Sequence, residues 1–309
     1  VIIITDENVK ALYGDAFSRY PTITVGLGER HKTLDTMAQI YAELIRLEVD
    51  RSSFIVAVGG GIVCDITGFA AATFMRGVPY GFVATTLLAQ VDASVGGKNG
   101  VNFGGYKNMV GVFSQPRFVI CDPHLLTSLP KTEVLCGLAE VIKHGAIADY
   151  KLFAYLQENV AAALALEPSV MEHLVHQSVV IKAGVVNTDE TERGRRRILN
   201  FGHTIGHAVE KLSSLPHGQA VSIGMQVAVD FSKRIAGLPA EQAEALTRLL
   251  LDFGLPTELE LPNEKVAAAL RKDKKKSGNQ IHYVLIEAIG RATVVDLDLD
   301  EVDRLLKAR

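Results

Sequence analysis

The sequence predicts an α/β domain with a parallel, Rossmann-like sheet, followed by a mostly α-helical domain. Three observations carry that prediction. The first 125 or so residues alternate short apolar runs with helical patterns, the texture of a parallel sheet covered by helices. Within them, Phe54 to Val58 form a continuous, largely β-branched run that breaks at Gly59-Gly60-Gly61, as a strand buried on both faces does. After Asp122-Pro123, long helical patterns take over. Two domains are therefore expected, residues 1–125 and 126–309, a division that suits a chain of this length.

The elements follow in order. Residues 1–5 read as a strand already under way, and with no initiator Met, further residues are expected upstream. Leu34, Met37, Tyr41, Leu44 and Ile45 recur at helical spacing. A small-residue helix containing Gly68, Ala70, Ala71 and Ala72 follows the three glycines, and strands are expected near residues 80–84 and 117–121. In the second half, helices are expected over about residues 132–148, 150–166, 170–187, 198–212, 218–235 and 240–253. Residues 281–286 and 291–295 read as a hairpin across 287–290. With no low-complexity linker, the halves are expected to pack directly and leave a cleft, a common place for a site.

Composition removes several function classes. A net charge of −3 provides no global field for nucleic acid or an anionic membrane, so any bound anion must be caught locally. The three cysteines, Cys64, Cys121 and Cys136, show no C-x-x-C spacing and suit free thiols in a reducing compartment. No apolar run approaches the roughly 20 residues of a membrane span. A soluble cytoplasmic protein is expected.

Two stretches carry anion signals. Gly59-Gly60-Gly61, directly after a buried strand and opening a helix, lets backbone N–H groups approach a phosphate, although Cys64 stands where a dinucleotide fingerprint has its third glycine. A tight structural turn explains the same glycines. The stretch from Asp92 to Lys98-Asn99 and on to Lys107-Asn108 sets two Lys-Asn pairs after flexible glycines, a loop that can surround a phosphate or carboxylate. It is not a Walker A loop, because Asp92 replaces its first glycine and Asn99 its Ser/Thr.

Three helical segments place ionisable residues where a helix should bury apolar ones. Glu140, Lys143 and His144 share one face. Arg196, Asn200, His203 and His207 form one polar stripe, with Gly202 and Gly206 beside it to admit a neighbouring backbone. A lone histidine is usually structural, but Glu140 with His203, His207 and His217 makes a nitrogen- and oxygen-rich set suited to a catalytic divalent ion. H-E-x-x-H is absent, since Thr204 occupies the Glu position, so a zinc-protease reading lacks its base. Which histidines bind metal and which bind substrate stays open on spacing alone. Lys182 lies among Val175, Val179 and Val186 and either snorkels to solvent or is held to bond a substrate. The basic run 271–276 reads as a surface loop, with a loop lysine for an anionic substrate as the sharper alternative.

Six segments, GGGIVCDITGFAAATFMRG, TTLLAQVDASVGGKNGVN, YKNMVGVFSQP, GLAEVIKHG, LNFGHTIGHAVE and HGQAVSIGM, together resemble the 3-dehydroquinate synthase family, in order across nearly the whole chain. The family's extreme N-terminus is lacking; the chain joins at ITDENV. The resemblance implies an NAD-binding α/β domain, a helical metal domain and a homodimer. It implies Glu140, His203 and His217 as ligands of Zn or Co, leaving His207 for the substrate. NAD would lie over Gly59, Gly60, Gly61 and Asp65, with Asp6, Glu29, Lys32, Thr85 and Thr86 along the groove. The substrate, 3-deoxy-arabino-heptulosonate 7-phosphate, would meet Asp92, Lys98, Lys107, Asn108, Lys143, Lys182, Arg196, Asn200, His207 and a lysine of the 273–275 run, Lys275 or Lys274. Arg76 would reach the neighbouring subunit's substrate. The implied chemistry is transient oxidation at C5, phosphate elimination, re-reduction, ring opening and intramolecular aldol closure.

Three rival readings remain at this point. An inosose- or valiolone-type cyclase would keep the NAD and metal parts but change the substrate end, whereas Lys182, Asn200 and His207 keep the dehydroquinate-type identity. A metal-dependent polyol dehydrogenase of the same superfamily has no use for the Lys98–Lys107 anion signal. A scaffolding protein has no use for an intact metal set.

Overall fold

The computed structural model describes residues 1–274 and 280–309; the side chains of residues 272–274 are outside the description. The chain divides into two compact units, Val1–Leu129 and Pro130–Arg309.

The first unit is built on a five-stranded sheet. Strand β1 (Ile2–Asp6) is buried until Asp6, whose carboxylate accepts from the backbone N–H of Val9 at 2.9 Å and so caps α1 (Glu7–Tyr13). Then come β2 (Thr22–Val25), α2 (Leu34–Arg46), β3 (Ile55–Gly59), α3 (Gly61–Thr73) and β4 (Tyr80–Ala84). Two strands follow, β5 (Lys98–Phe103) and β6 (Tyr106–Phe113), and β7 (Val119–Cys121) ends the series. The sheet order is β2-β1-β3-β4-β7, all parallel. Apolar side chains from α2, α3 and the central strands close over it, with Ile4, Leu44, Ile55, Ala57 and Ile66 wholly buried.

The glycine-rich stretch around Lys98 and Lys107 is not the open loop its glycines suggest. It is an antiparallel hairpin of β5 and β6, turned at Gly104 (φ +59) and Gly105 (φ +81). Val101 is buried and Val110 and Val112 pack against the sheet's core, which gives the hairpin a face to hold. Asn99 is consequently no anion donor. Its amide is buried and donates to the carbonyls of Gly97 and Ser114 and to the Tyr80 hydroxyl.

The second unit is helical: α4 (Lys131–Ala148), α5 (Tyr150–Glu158), α6 (Val160–Leu164), α7 (Pro168–Thr188), α8 (His203–Leu212), α9 (His217–Ile235), α10 (Ala240–Asp252) and α11 (Asn263–Lys274). A hairpin of β8 (Gln280–Ala288) and β9 (Arg291–Asp298) and a last helix, α12 (Leu299–Lys307), complete it.

Three expectations are corrected here. The helix expected over 150–166 breaks at Asn159, whose side chain donates to the carbonyl of Tyr155 at 2.9 Å instead of letting the helix pass. The helix expected over 198–212 is a 3-10 turn, Arg195–Asn200, then α8, with Gly202 at φ +79 between them. Of the basic run read as a loop, Arg271–Lys274 ends α11. Val266 and Leu270 bury that helix's inner face, and Arg271 pairs with Asp300 of α12 at 2.7 Å.

Candidate active site

In the first unit, the residues expected around a nucleotide gather at the carboxyl edge of the sheet. Asp6 ends β1, Gly59–Gly61 join β3 to α3, and Thr85 and Thr86 follow β4. The order β2-β1-β3-β4-β7 reverses direction between β1 and β3, so this edge is the switch point where open α/β sheets bind ligands. The glycines are needed for space. A Cβ on Gly60 would stand 2.9 Å from Thr86 Cγ2, and one on Gly61 3.0 Å from Ala93 Cβ. Thr86 Oγ1 accepts from Ala89 N–H at 3.1 Å, at the start of the helical segment that runs into the π-helical turn Ala89–Ala93 and its half-buried Asp92.

Beside that edge lies a polar network. Lys32, only 4% exposed, pairs with Asp65 on α3 and donates to Asn108 Oδ1 at 2.5 Å. Asn108 N–H donates to Asn102 Oδ1 at 2.8 Å, and Asn102 Nδ2 donates to Glu29 at 2.8 Å. Glu29, Lys32, Asp65 and Asn108 are thus brought together. Asn102, which joins them, was missed in the sequence because nothing marks it until β5 and β6 pair. Lys98 and Lys107 are exposed on the hairpin, and Arg76 stands with Met75 in a left-handed turn (φ +66 and +51).

In the second unit, Glu140 lies on α4, His203 opens α8 and His217 opens α9. The helices approach closely because glycines face each other. A Cβ on Gly202 would stand 2.8 Å from the Val221 carbonyl, and one on Gly206 3.1 Å from that of Ala220. His203 Nε2 and His217 Nε2 lie 3.4 and 3.3 Å from the same oxygen, Glu140 Oε1. Glu140 is fully buried and pairs with buried Lys143. His207, a turn beyond His203, meets it edge-on at 5.3 Å between ring centroids and is exposed. Buried Lys182 lies on α7, so it does not snorkel to solvent. Arg196 is buried and donates from Nη1 to the Glu190 carbonyl; Asn200 donates to Glu192 Oε1 at 2.6 Å. Lys275 lies outside the described residues.

Electrostatics separates the two histidines. Burial drives the His203 ring down to about 3; Glu140 opposes that, and Lys143, His207 and His217 add to it. Burial also works against a proton on His217, but bonds and charges from Glu140 and Glu210 outweigh it and raise the ring to about 10. Glu210 lies 3.7 Å from His217 Nδ1. The sequence reading passed over Glu210, although its place one helical turn after His207 was the signal.

These residues fit a divalent ion. The three donor atoms lie within 4.8 Å of one another. Two ligands of a tetrahedral Zn²⁺, each about 2.1 Å from it, stand about 3.4 Å apart, close to the separations above. The lone pairs point the same way. His203 Nδ1 is 3.1 Å from the Phe201 carbonyl, which only accepts, so that nitrogen carries the proton. Neutral Nε2 then turns a lone pair towards a carboxylate oxygen, and a cation reconciles two acceptors.

A switch-point sheet edge in one unit and a Glu-His-His set with a buried lysine in the other fit a class of enzymes that use a nucleotide and a divalent ion. Known proteins narrow it. A family model described as 3-dehydroquinate synthase N-terminal matches residues 22–136, and one described as 3-dehydroquinate synthase C-terminal matches residues 137–276. The chain belongs to the 3-dehydroquinate synthase family. It is 44% identical over 307 residues to a 3-dehydroquinate synthase of Dehalococcoides mccartyi, covering 96% of this chain and 86% of that one. Its fold is similar to 2-epi-5-epi-valiolone synthase from Streptomyces hygroscopicus, solved with NAD⁺ and Zn²⁺ (27% identity, TM-score 0.90, 99% and 89% of the two chains covered). A 2-deoxy-scyllo-inosose synthase solved with carbaglucose-6-phosphate, NAD⁺ and Co²⁺ is similar to the same degree (26%, TM-score 0.89, 99% and 90% covered). Among the described residues, no helix is long and apolar enough to cross a membrane.

Proposed function

We propose that this chain converts 3-deoxy-arabino-heptulosonate 7-phosphate to 3-dehydroquinate and phosphate, a carbon–oxygen lyase reaction with no net redox change. The observation that carries the reading is the convergence of His203 and His217 on one oxygen of Glu140, in a chain of this family. Residues 1–125 take NAD and residues 126–309 the metal. Glu140, His203 and His217 would hold a divalent ion, which would supply Lewis-acid polarisation of substrate oxygens, and Gly59–Gly61 would hold NAD, which would supply reversible hydride transfer.

The protein's own residues orient and hold charge. Glu140 and Lys143 neutralise each other in a buried place, so the site presents a fixed dipole with little left to reorganise. Gly60 and Gly61 let backbone N–H groups reach an anion at the start of α3, and Lys32 and Asp65 hold each other, and Asn108, in one arrangement beside it. In the first unit Asp92, Lys98, Lys107 and Asn108 are the proposed substrate contacts; in the second they are Lys143, Lys182, Arg196, Asn200 and His207. Lysines act as point charges on phosphate, and Arg196 offers a planar fork suited to a carboxylate. Lys275 joins the set by resemblance. So does a homodimer in which Arg76 reaches the partner's substrate.

The sister cyclases are the competing reading, and identity ranks them: 44% to the dehydroquinate synthase against 27% and 26%. Phosphate release from the heptulosonate phosphate, compared with glucose 6-phosphate, tests the choice. Turnover on the first alone is expected, because it carries a carboxylate. Turnover on glucose 6-phosphate alone would assign a sister activity.

A further inference from the structure

Strand β5 is interrupted at one residue, Asn102, and that residue commits its backbone N–H and both ends of its side-chain amide. The pairing of β5 with β6 shifts register between Val101 and Phe103, which takes Asn102 out of the ladder. Its backbone instead bridges Thr33 in parallel, with the Asn102 N–H donating to the Lys32 carbonyl at 2.8 Å. The half-buried side chain works in two directions. Oδ1 accepts from the backbone N–H of Asn108 at 2.8 Å, and Nδ2 donates to Glu29 Oε1 at 2.8 Å. A peptide N–H only donates and a carboxylate only accepts, so these partners fix which end of the amide is which. Asn108 stands at φ +51, a left-handed backbone that asparagine tolerates, and its own Oδ1 accepts from Lys32 Nζ at 2.5 Å. A hairpin needs only its ladder and its turn, so the Glu29 bond, reaching back 73 residues, answers to something else.

We infer that Asn102 is a positioning residue that sets Glu29 for the nucleotide and Asn108 for the substrate, through opposite ends of one amide. The inference deepens the proposed function, since it rests on Glu29 meeting NAD and Asn108 meeting the substrate. A ribose presents hydroxyl donors, and a carboxylate held at one oxygen by an amide keeps its other oxygen to accept them. On the other side, the bond from Asn108 N–H to Asn102 and the bond from Lys32 to Asn108 Oδ1 hold the residue after Lys107 in one arrangement, which is what positioning a substrate requires. Each contact belongs to a different atom of the Asn102 amide. The nucleotide end can therefore be changed while the substrate end is kept.

Three variants separate the two ends: Asn102→Asp, Asn102→Asp combined with Glu29→Gln, and Asn102→Ala. Calorimetric titration of the zinc-loaded protein gives the Kd for NAD, and steady-state turnover at saturating NAD gives KM and kcat for the heptulosonate phosphate, with a thermal midpoint for each variant. Asn102→Asp keeps an oxygen for the Asn108 N–H but sets a second carboxylate oxygen against Glu29. NAD should bind roughly 10- to 100-fold more weakly, while KM for the heptulosonate phosphate stays within about threefold of wild type. Adding Glu29→Gln restores a donor–acceptor pair with the roles exchanged and leaves an amide oxygen for the ribose, so NAD affinity should recover at least about threefold. Asn102→Ala removes both contacts and should lose on both readouts; if its thermal midpoint collapses, the two Asp variants decide. Unchanged NAD affinity in Asn102→Asp would overturn the inference. So would a KM that rises as far as the Kd for NAD, or no recovery on adding Glu29→Gln. A wild-type chain that binds NAD but releases no phosphate would overturn the functional reading and the substrate half of this inference, with the Kd values still deciding the nucleotide half. An active wild type whose variants fail these expectations overturns the inference alone.

Discussion

Replacing Gly202 by Ala should damage the metal centre through the backbone, without touching a ligand. Gly202 sits at φ +79 immediately before His203, and a left-handed backbone costs an L-residue roughly 1–2 kcal/mol. The added Cβ would also stand 2.6 Å from Met225 Cγ, 2.8 Å from the Val221 carbonyl oxygen and 2.9 Å from Met225 N. The methionine can turn away. The two α9 backbone atoms cannot, and pushing them off costs about 1–3 kcal/mol. The sum is about 2–5 kcal/mol. Gly206→Ala is the control on the same helix. Its Cβ would meet the Ala220 carbonyl oxygen at 3.1 Å and Val221 Cα at 3.1 Å, with no left-handed φ. A helix gains about 1 kcal/mol from Gly→Ala, so Gly206→Ala should fall within about 1 kcal/mol of wild type. Urea unfolding of the metal-free proteins gives the stabilities, and a zinc titration follows the centre. Gly202→Ala should unfold at the lower urea concentration and bind zinc more weakly, because α8 carries His203 and α9 carries His217. Equal midpoints for the two variants, with equal zinc affinities, would refute the close-approach argument.

Other outcomes follow from the same structure. Glu140→Gln should weaken zinc binding at least tenfold, since it removes the anionic oxygen that both Nε2 atoms face, and it should destabilise the metal-free chain by about 3–5 kcal/mol by leaving buried Lys143 without its carboxylate; zinc competition and urea unfolding check the two halves. Lys98→Ala should abolish most turnover while moving stability by no more than about 0.5 kcal/mol, because the side chain is exposed on β5; normal phosphate release would remove Lys98 from the site. Burial pushes the Cys121 and Cys136 thiols up to about 11, from an ordinary 9.0. At pH 8 both are therefore protonated, with roughly 100-fold less thiolate than an ordinary cysteine, and alkylation by iodoacetamide should be slow in the folded protein and become fast in urea. Fast labelling of the folded chain at pH 8 would contradict it.

The sequence made the parallel sheet legible because Phe54–Val58 had to be buried on both faces and Gly59–Gly61 had to end the strand. The Glu140 face and the stripe carrying His203 and His207 were legible as chemistry, since polar residues at helical spacing need a reason, but spacing did not say which histidines face Glu140. Features set by tertiary contact were not. The β5–β6 hairpin is hidden because Gly96, Gly97, Gly104 and Gly105 read as flexible, and only Val101, Val110 and Val112 against the core make them strands. The break at Gly202 is invisible to a spacing count, which carries Arg196 and Asn200 onto the stripe of His203 and His207 although a left-handed residue separates them. Asn102 became visible only when strand pairing placed it against Glu29, whereas Glu210, which faces His217, was legible as one helical turn beyond His207. Asn99, so suggestive beside Lys98, spends its amide on the hairpin's own carbonyls.

The most direct test of the central claim is a count of phosphates released per NAD. The chain, loaded with zinc and one equivalent of NAD, is given excess heptulosonate phosphate while absorbance at 340 nm is followed. Many phosphates per NAD are expected, with 3-dehydroquinate as product and no net absorbance change. One NADH accumulating for each substrate consumed, without phosphate, would contradict it and make the chain a dehydrogenase.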